Sequence, residues 1–197
     1  GQFGNNDFET GSNGDTTISG WSVSNEQVKL NGTTNLGGKP TANDTSFPNP
    51  VAAGSAAPHD QVAPSSATYQ TTLSNDTSSG SGLSVKLRST GVSIINYGIL
   101  HGPAITSDSS VKLDVGDSVS FEWKAAGGGD AYDVIGYLVD ESTGHTEEIL
   151  NETGADEDAS TPWATVSKTI TTAGTYKFVF VSGTYDYSGG TVAGVPS

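Results

Sequence analysis

Apolar and polar residues alternate in several short segments of this chain. In Leu83–Arg88 every second residue is apolar, and the same period of two recurs from Val119 to Trp123. The segment Tyr132–Asp140 is apolar on both faces, which predicts a central strand. Further strand patterns cover Trp163–Ile170 and Thr175–Ser182, and no window shows the three-to-four periodicity of a helix.

About ten short strands separated by turn residues predict an all-β fold, a β-sandwich of the jelly-roll type. We predict one domain over residues 1–197. The pattern fails only from Asn31 to Ser66, where Gly, Pro, Asn and Ala dominate. This stretch is predicted to be a long irregular insertion, either ordered or a mobile cover.

Acidic residues far outnumber basic ones, 22 to 8, and give a formal charge of −14. Such a surface repels nucleic acid and anionic lipid, and it attracts cations. The chain contains no cysteine, so stability must come from the core and from any bound ions. We therefore predict neither a nucleic-acid partner nor insertion into a membrane.

Three consecutive glycines followed by two aspartates mark the most distinctive segment, GGGDAYD. Glycine lets the backbone approach a ligand closely, and carboxylates with backbone carbonyls suit calcium at about 2.3–2.6 Å. The predicted metal ligands here are Asp130 and Asp133, and the predicted ligand-contacting residues are Gly127, Gly128, Gly129 and Tyr132.

A second glycine-flanked acidic loop, GTYDYSGG, has similar composition and contributes Tyr185 and Asp186. If the fold brings the two loops to one end, three close carboxylates repel one another unless a cation neutralises them. The alternative is that each aspartate caps its own turn.

Asp7 and Glu9 form another acidic pair on a segment predicted to be extended, either as metal ligands or as charges that protect a sheet edge. His101 follows an apolar strand pattern and is a candidate for lining a pocket.

No nucleophile elbow, catalytic triad order or phosphate-binding glycine motif occurs. Many acid pairs exist, but none is singled out for glycoside hydrolysis, so we predict a binding module and no enzyme.

Three blocks of the sequence resemble one family. They are NNDFETG with ISGWSVSN near the start, DSVSFEWKAAGGGDAYDVIGYLVD, and AGTYKFVFVSGTYD. Together they resemble the calcium-dependent peptide-binding domain of giant bacterial repeats-in-toxin (RTX) adhesins. The resemblance covers most of the chain except Asn31–Ser66, and its most specific parts are GGGDAYD and GTYD.

The resemblance implies a lectin-like β-sandwich that holds Ca²⁺ and captures the C-terminal ends of peptides on partner-cell proteins. It implies a piece of a longer multidomain adhesin on the bacterial cell surface, acting in adhesion and biofilm formation. In that case Asp130, Asp133 and Asp186 hold metal, the Gly127–Gly129 backbone meets the ligand, and Tyr132 and Tyr185 form apolar walls.

Two alternatives stay open. The first is a carbohydrate-binding module that uses Trp21, Trp123 and Trp163, although all three lie in strand patterns that predict burial in the core. The second is a structural extender domain whose calcium only stiffens the protein. Related jelly rolls finish with an apolar strand after a loop such as GTYDYSGG, and the sequence leaves open whether this chain has that strand.

Overall fold

The described part of the chain folds entirely into β-structure. The computed structural model describes residues 3–24, 27–29, 49–51, 68–90, 103–126, 132–153, 160–182 and 189–193. These residues contain thirteen strands and no helix. No helix within these ranges is long and apolar enough to span a membrane.

Two antiparallel sheets make up the domain, and a short ribbon accompanies them. Sheet I has the order β1-β6-β12-β9-β10, with β7 also paired to β12; its strands are β1 (Trp21–Ser24), β6 (Ala104–Ser107), β7 (Val111–Leu113), β9 (Asp133–Asp140), β10 (Thr146–Thr153) and β12 (Gly174–Ser182). Sheet II has the order β11-β8-β13-β5-β4; its strands are β4 (Thr68–Ser74), β5 (Ser84–Thr90), β8 (Ser118–Ala126), β11 (Ala164–Thr169) and β13 (Gly189–Ala193). The ribbon pairs β2 (Gln27–Lys29) with β3 (Asn49–Val51).

The inner faces of the two sheets pack together through aromatic rings. Phe121 of sheet II meets Phe178 and Phe180 of sheet I with ring centroids 5.1 and 6.2 Å apart, both edge-on. Gly136 lies opposite Phe121, and a Cβ there would come within 2.7 Å of the ring. The glycine thus makes room for the phenylalanine, and the predicted β-sandwich is confirmed.

Several predicted burial patterns are correct. Val85 and Leu87 are completely buried while Lys86 between them is partly exposed. Strand β9 is flanked by β12 and β10 and is buried on both faces from Val134 to Asp140, as its composition predicts. The alternation of apolar residues therefore identified the core strands correctly.

Two details differ from the sequence-based expectation, and a third answers a question that the sequence left open. The opening segment is a turn over residues 4–7, with positive φ at Asn5 and Phe8, because Phe8 folds back to pack on Trp21. Trp163 is only partly buried and lies just before β11, so the prediction that it is a core residue is wrong. A strand does follow the GTYDYSGG loop: β13 inserts between β5 and β8.

Candidate functional site

The internal segments in which most candidate residues lie all begin and end at one end of the sandwich, here called the loop end. Ala126 pairs with Gly189 across sheet II, and Val134 pairs with Ser182 across sheet I. The same end of the two sheets holds the following strand termini: Ser24, Thr68, Thr90, Ala104, Asp133 and Thr153. The opposite end, here called the turn end, is closed by the turns at 75–83, 114–117, 141–145 and 170–173.

The loop end is the point from which both glycine-rich acidic segments depart. Segment 127–131 joins Ala126 to Tyr132, and segment 183–188 joins Ser182 to Gly189. The strand termini that flank the two segments are neighbours, as they must be if the two loops meet at one end of the fold. Asp133 is the first residue of β9 at this end.

Most predicted site residues belong to segments outside the described residues. These are Asp130, Asp186, Tyr185, His101, and the glycines Gly127, Gly128 and Gly129. For Asp133 the structure gives the backbone position alone. The roles assigned to these residues remain predictions.

Tyr132 is described, and its ring belongs to the core. It is 7% exposed and packs within the apolar cluster between the two sheets. Since so little of the ring is exposed, the Tyr132 side chain anchors the start of β9 to the core. Its role as a wall of a ligand site stays a prediction.

Asp7 and Glu9 lie at the turn end, away from the glycine-rich segments. Glu9 Oε1 accepts a hydrogen bond from the Leu83 amide at 2.8 Å, just before β5 begins. Asp7 Oδ1 accepts one from the Glu9 amide at 3.2 Å. The structure therefore does not bring this pair together with Asp133. No group of three or more potential metal ligands occurs within the described ranges.

Two buried carboxylates at the turn end were not singled out from the sequence. Asp140 accepts hydrogen bonds from Ser142, Thr143 and Thr175, and Glu147 accepts them from Thr171 and Thr172. The Ser142 hydroxyl, with these backbone amides, lowers the pKa of Asp140. Both side chains tie the β9–β10 hairpin to β12 or to the turn that precedes it, which is a structural role.

Basic residues gather on the outer surface of sheet II, which sequence reasoning also missed. Thr191 of β13 pairs with Lys86 of β5 on one side and with Lys124 of β8 on the other. Arg88 lies two residues after Lys86 on the same strand and the same side. We call this surface, defined by Lys86, Arg88, Lys124 and Thr191, the basic face. Only strand pairing reveals it, because Lys86 and Lys124 are far apart in sequence.

No protein-family model matches the chain, and no curated protein is similar to it at a significant level. Among solved structures, it is similar to a chain from a study of the promiscuous specificity of carbohydrate-binding modules of the β-sandwich superfamily. The TM-score is 0.35 and the identity is 10%; the match covers 93% of this chain and 58% of the other. This chain thus spans less than two thirds of the length of that neighbour. Similarity at this level carries no information about a ligand, which has to be inferred from the site residues themselves.

Proposed function

We propose that this chain is a non-catalytic, calcium-dependent ligand-binding module of a large bacterial surface adhesin. Its ligand is the C-terminal carboxylate of a peptide on a partner cell, and its site is the loop end. The observation that carries the proposal is the pairing of Ala126 with Gly189 and of Val134 with Ser182. This pairing supports a common location for the segments that contain Asp130 and Asp186.

The donor chemistry of these segments fits calcium. Asp130, Asp133 and Asp186 supply carboxylate oxygens, and the glycines supply backbone carbonyls with little steric hindrance. Calcium favours such all-oxygen sets over nitrogen or sulfur donors. When bound, the cation supplies a positive charge that an anionic ligand can approach.

Electrostatics explain why a carboxylate ligand would need this cation. The chain carries a formal charge of −14, which repels a free carboxylate at long range. Backbone amides of a glycine-rich loop can then donate the remaining hydrogen bonds, as in other sites that capture a peptide terminus. An amide-capped peptide lacks the charge and would be bound much less tightly.

The test is calorimetric titration of peptides that differ only in a C-terminal acid or amide, with calcium and with EGTA. We expect the peptide acid to bind in the presence of calcium. The peptide amide in calcium, and the acid in EGTA, should each bind at least about tenfold less tightly, because one charge-assisted interaction is lost. Asp130→Asn and Asp186→Asn are each expected to weaken binding to a similar extent.

Glu141→Gln is the matched control, since Glu141 is an exposed carboxylate at the turn end, paired with Lys177 at 2.7 Å. It is expected to leave peptide affinity unchanged. Equal binding of acid and amide, or binding that survives EGTA, contradicts the proposal. A response to neutral sugars with none to peptides would favour the lectin alternative. Calcium-dependent thermal stabilisation without any ligand would favour the extender.

A further inference from the structure

The basic face concentrates positive charge in a strongly acidic protein. It holds three of the eight basic residues of the chain, on β5 and β8. Lys86 and Lys124 are each paired with Thr191, so they lie two strands apart, about 10 Å at the usual strand spacing. The chain as a whole carries a formal charge of −14, so a cluster of basic side chains at one place suggests a specific role rather than a general contribution to solubility.

A cavity of about 80 Å³ opens between these cations. Its lining includes the basic residues Lys86, Arg88 and Lys124, one carboxylate, Asp76, and the small residues Ala126 and Gly190. No long side chain stands on the outer face of β13 here: Thr191 is the neighbour of both lysines, and Gly189, the neighbour of Arg88, has no side chain. The short residues leave a recess that three long basic side chains surround.

The positive charge in the recess is only partly compensated. Lys124 forms an ion pair with Asp76. Lys86 and Arg88 form no salt bridge with any carboxylate of the described residues, although the Asp76 carboxylate also attracts the Lys86 ammonium. Burial, and then the neighbouring Arg88 guanidinium, lower the pKa of the Lys86 ammonium. An anion placed between Lys86 and Arg88 would relieve their mutual repulsion.

An aromatic ring, that of Trp163, lies beside the basic face, next to Lys124. Trp163 is partly exposed, and the Lys124 ammonium lies 5.7 Å from its ring centroid. The indole Nε1–H donates to Asp76 Oδ1 at 3.3 Å, which fixes the ring against the face. A fixed aromatic ring beside hydroxyl and cationic donors is a combination that suits a sugar ring with a charged substituent.

The position within the sheet discriminates between ligand classes. β5 and β8 both pair with β13, so the backbone groups of this region are already used in the sheet. An extended peptide that adds a strand needs a free sheet edge, and the edges of sheet II are β4 and β11. Recognition on the basic face must therefore use side chains, and the partly exposed Trp163 ring beside the Lys124 ammonium favours a carbohydrate over a peptide.

We propose that the basic face is a second ligand site, which binds an acidic carbohydrate. A uronate carboxylate occupies the recess between Lys86, Arg88 and Lys124, and an adjoining sugar ring contacts Trp163. The site uses no calcium, and it lies on the outer face of sheet II, next to the loop end at Ala126.

The experiment is calorimetric titration with the trimer of galacturonic acid in EGTA, so that a calcium site cannot contribute. We expect binding that weakens as salt rises and that is absent for the neutral galactose trimer. Lys86→Gln and Arg88→Gln should each weaken binding at least about tenfold, the usual effect of losing one charge-assisted hydrogen bond. Lys112→Gln, an exposed lysine on β7 of the other sheet, should leave it unchanged.

A second measurement keeps the outcome interpretable if a variant is destabilised. In the unmodified protein the amide resonance of Thr191 and the indole resonance of Trp163 should shift on addition of the uronate trimer. Absence of binding, binding unaffected by Lys86→Gln and Arg88→Gln, or sulfate bound as tightly as the trimer each overturns the proposal. So does an acidic peptide that displaces the trimer at lower concentration. None of these outcomes bears on peptide capture at the loop end, because calcium is absent throughout.

Discussion

Phe178→Ala is expected to destabilise the domain by about 3–5 kcal/mol, the usual cost of removing a buried aromatic ring. Phe178 is completely buried, and its ring contacts Phe121 of the facing sheet at 5.1 Å. It also contacts Trp21 at 5.9 Å and Phe3 at 6.4 Å, which joins the opening segment to the core. The measurement is the free energy of unfolding from urea denaturation followed by Trp fluorescence.

Phe178→Leu is the matched control, since it keeps most of the apolar volume and loses only the edge-on ring contacts. Its cost should be clearly smaller, about 1–2 kcal/mol. An alanine variant no less stable than the leucine variant would show that the packing of the Phe178 side chain against its three aromatic neighbours contributes little to stability.

Acid is expected to destabilise the domain through Glu147, and Glu147→Gln should remove part of that sensitivity. Glu147 is 3% exposed and accepts from the Thr171 amide at 2.9 Å, the Thr171 hydroxyl at 2.8 Å and the Thr172 amide at 3.0 Å. Burial alone would raise the pKa of Glu147, but these hydrogen bonds outweigh it and hold the pKa below its ordinary value.

Because the pKa is lower in the folded state, the carboxylate stabilises the fold at pH values above its unfolded pKa of about 4.3. This contribution is lost as the pH falls through the folded pKa. Thermal unfolding of the wild type should therefore shift to lower temperature between about pH 5 and pH 3. Glu147→Gln should be less stable at pH 7, by about 1–3 kcal/mol, because a charged acceptor is lost.

Glu152→Gln is the control for this series, since Glu152 is exposed on the same strand. It should leave the pH profile of unfolding as in the wild type. A Glu147→Gln profile parallel to that of the wild type down to pH 3 would assign the acid sensitivity to other carboxylates, among them Asp140.

The core could be predicted from the sequence because each strand carries its own pattern. The alternation in β5 and β8 is local, and so is the continuous apolar run of β9. The turn between β9 and β10 is local as well: Gly144 adopts a φ of +75°, and Asp140 accepts hydrogen bonds from the amides of Ser142 and Thr143.

The basic face could not be predicted, because it depends on which strands become neighbours. Lys86 and Lys124 meet only because β13 lies between their strands. The same holds for the ion pair of Asp76 with Lys124 and for the position of Trp163. Trp163 looks like a core residue within its own segment, and only the sheet order places it beside Lys124.

The central position of β13 has a consequence for how the domain is assembled. Gly189 pairs with Arg88, about one hundred positions earlier in the chain, so sheet II joins β5 to β8 only when β13 arrives. Pairing over such distances makes folding slow compared with that of helical domains. During synthesis, β5 and β8 each present an unpaired edge to other chains until β13 emerges. We therefore expect aggregation of early chains, more than the stability of the finished sandwich, to limit the yield of folded protein.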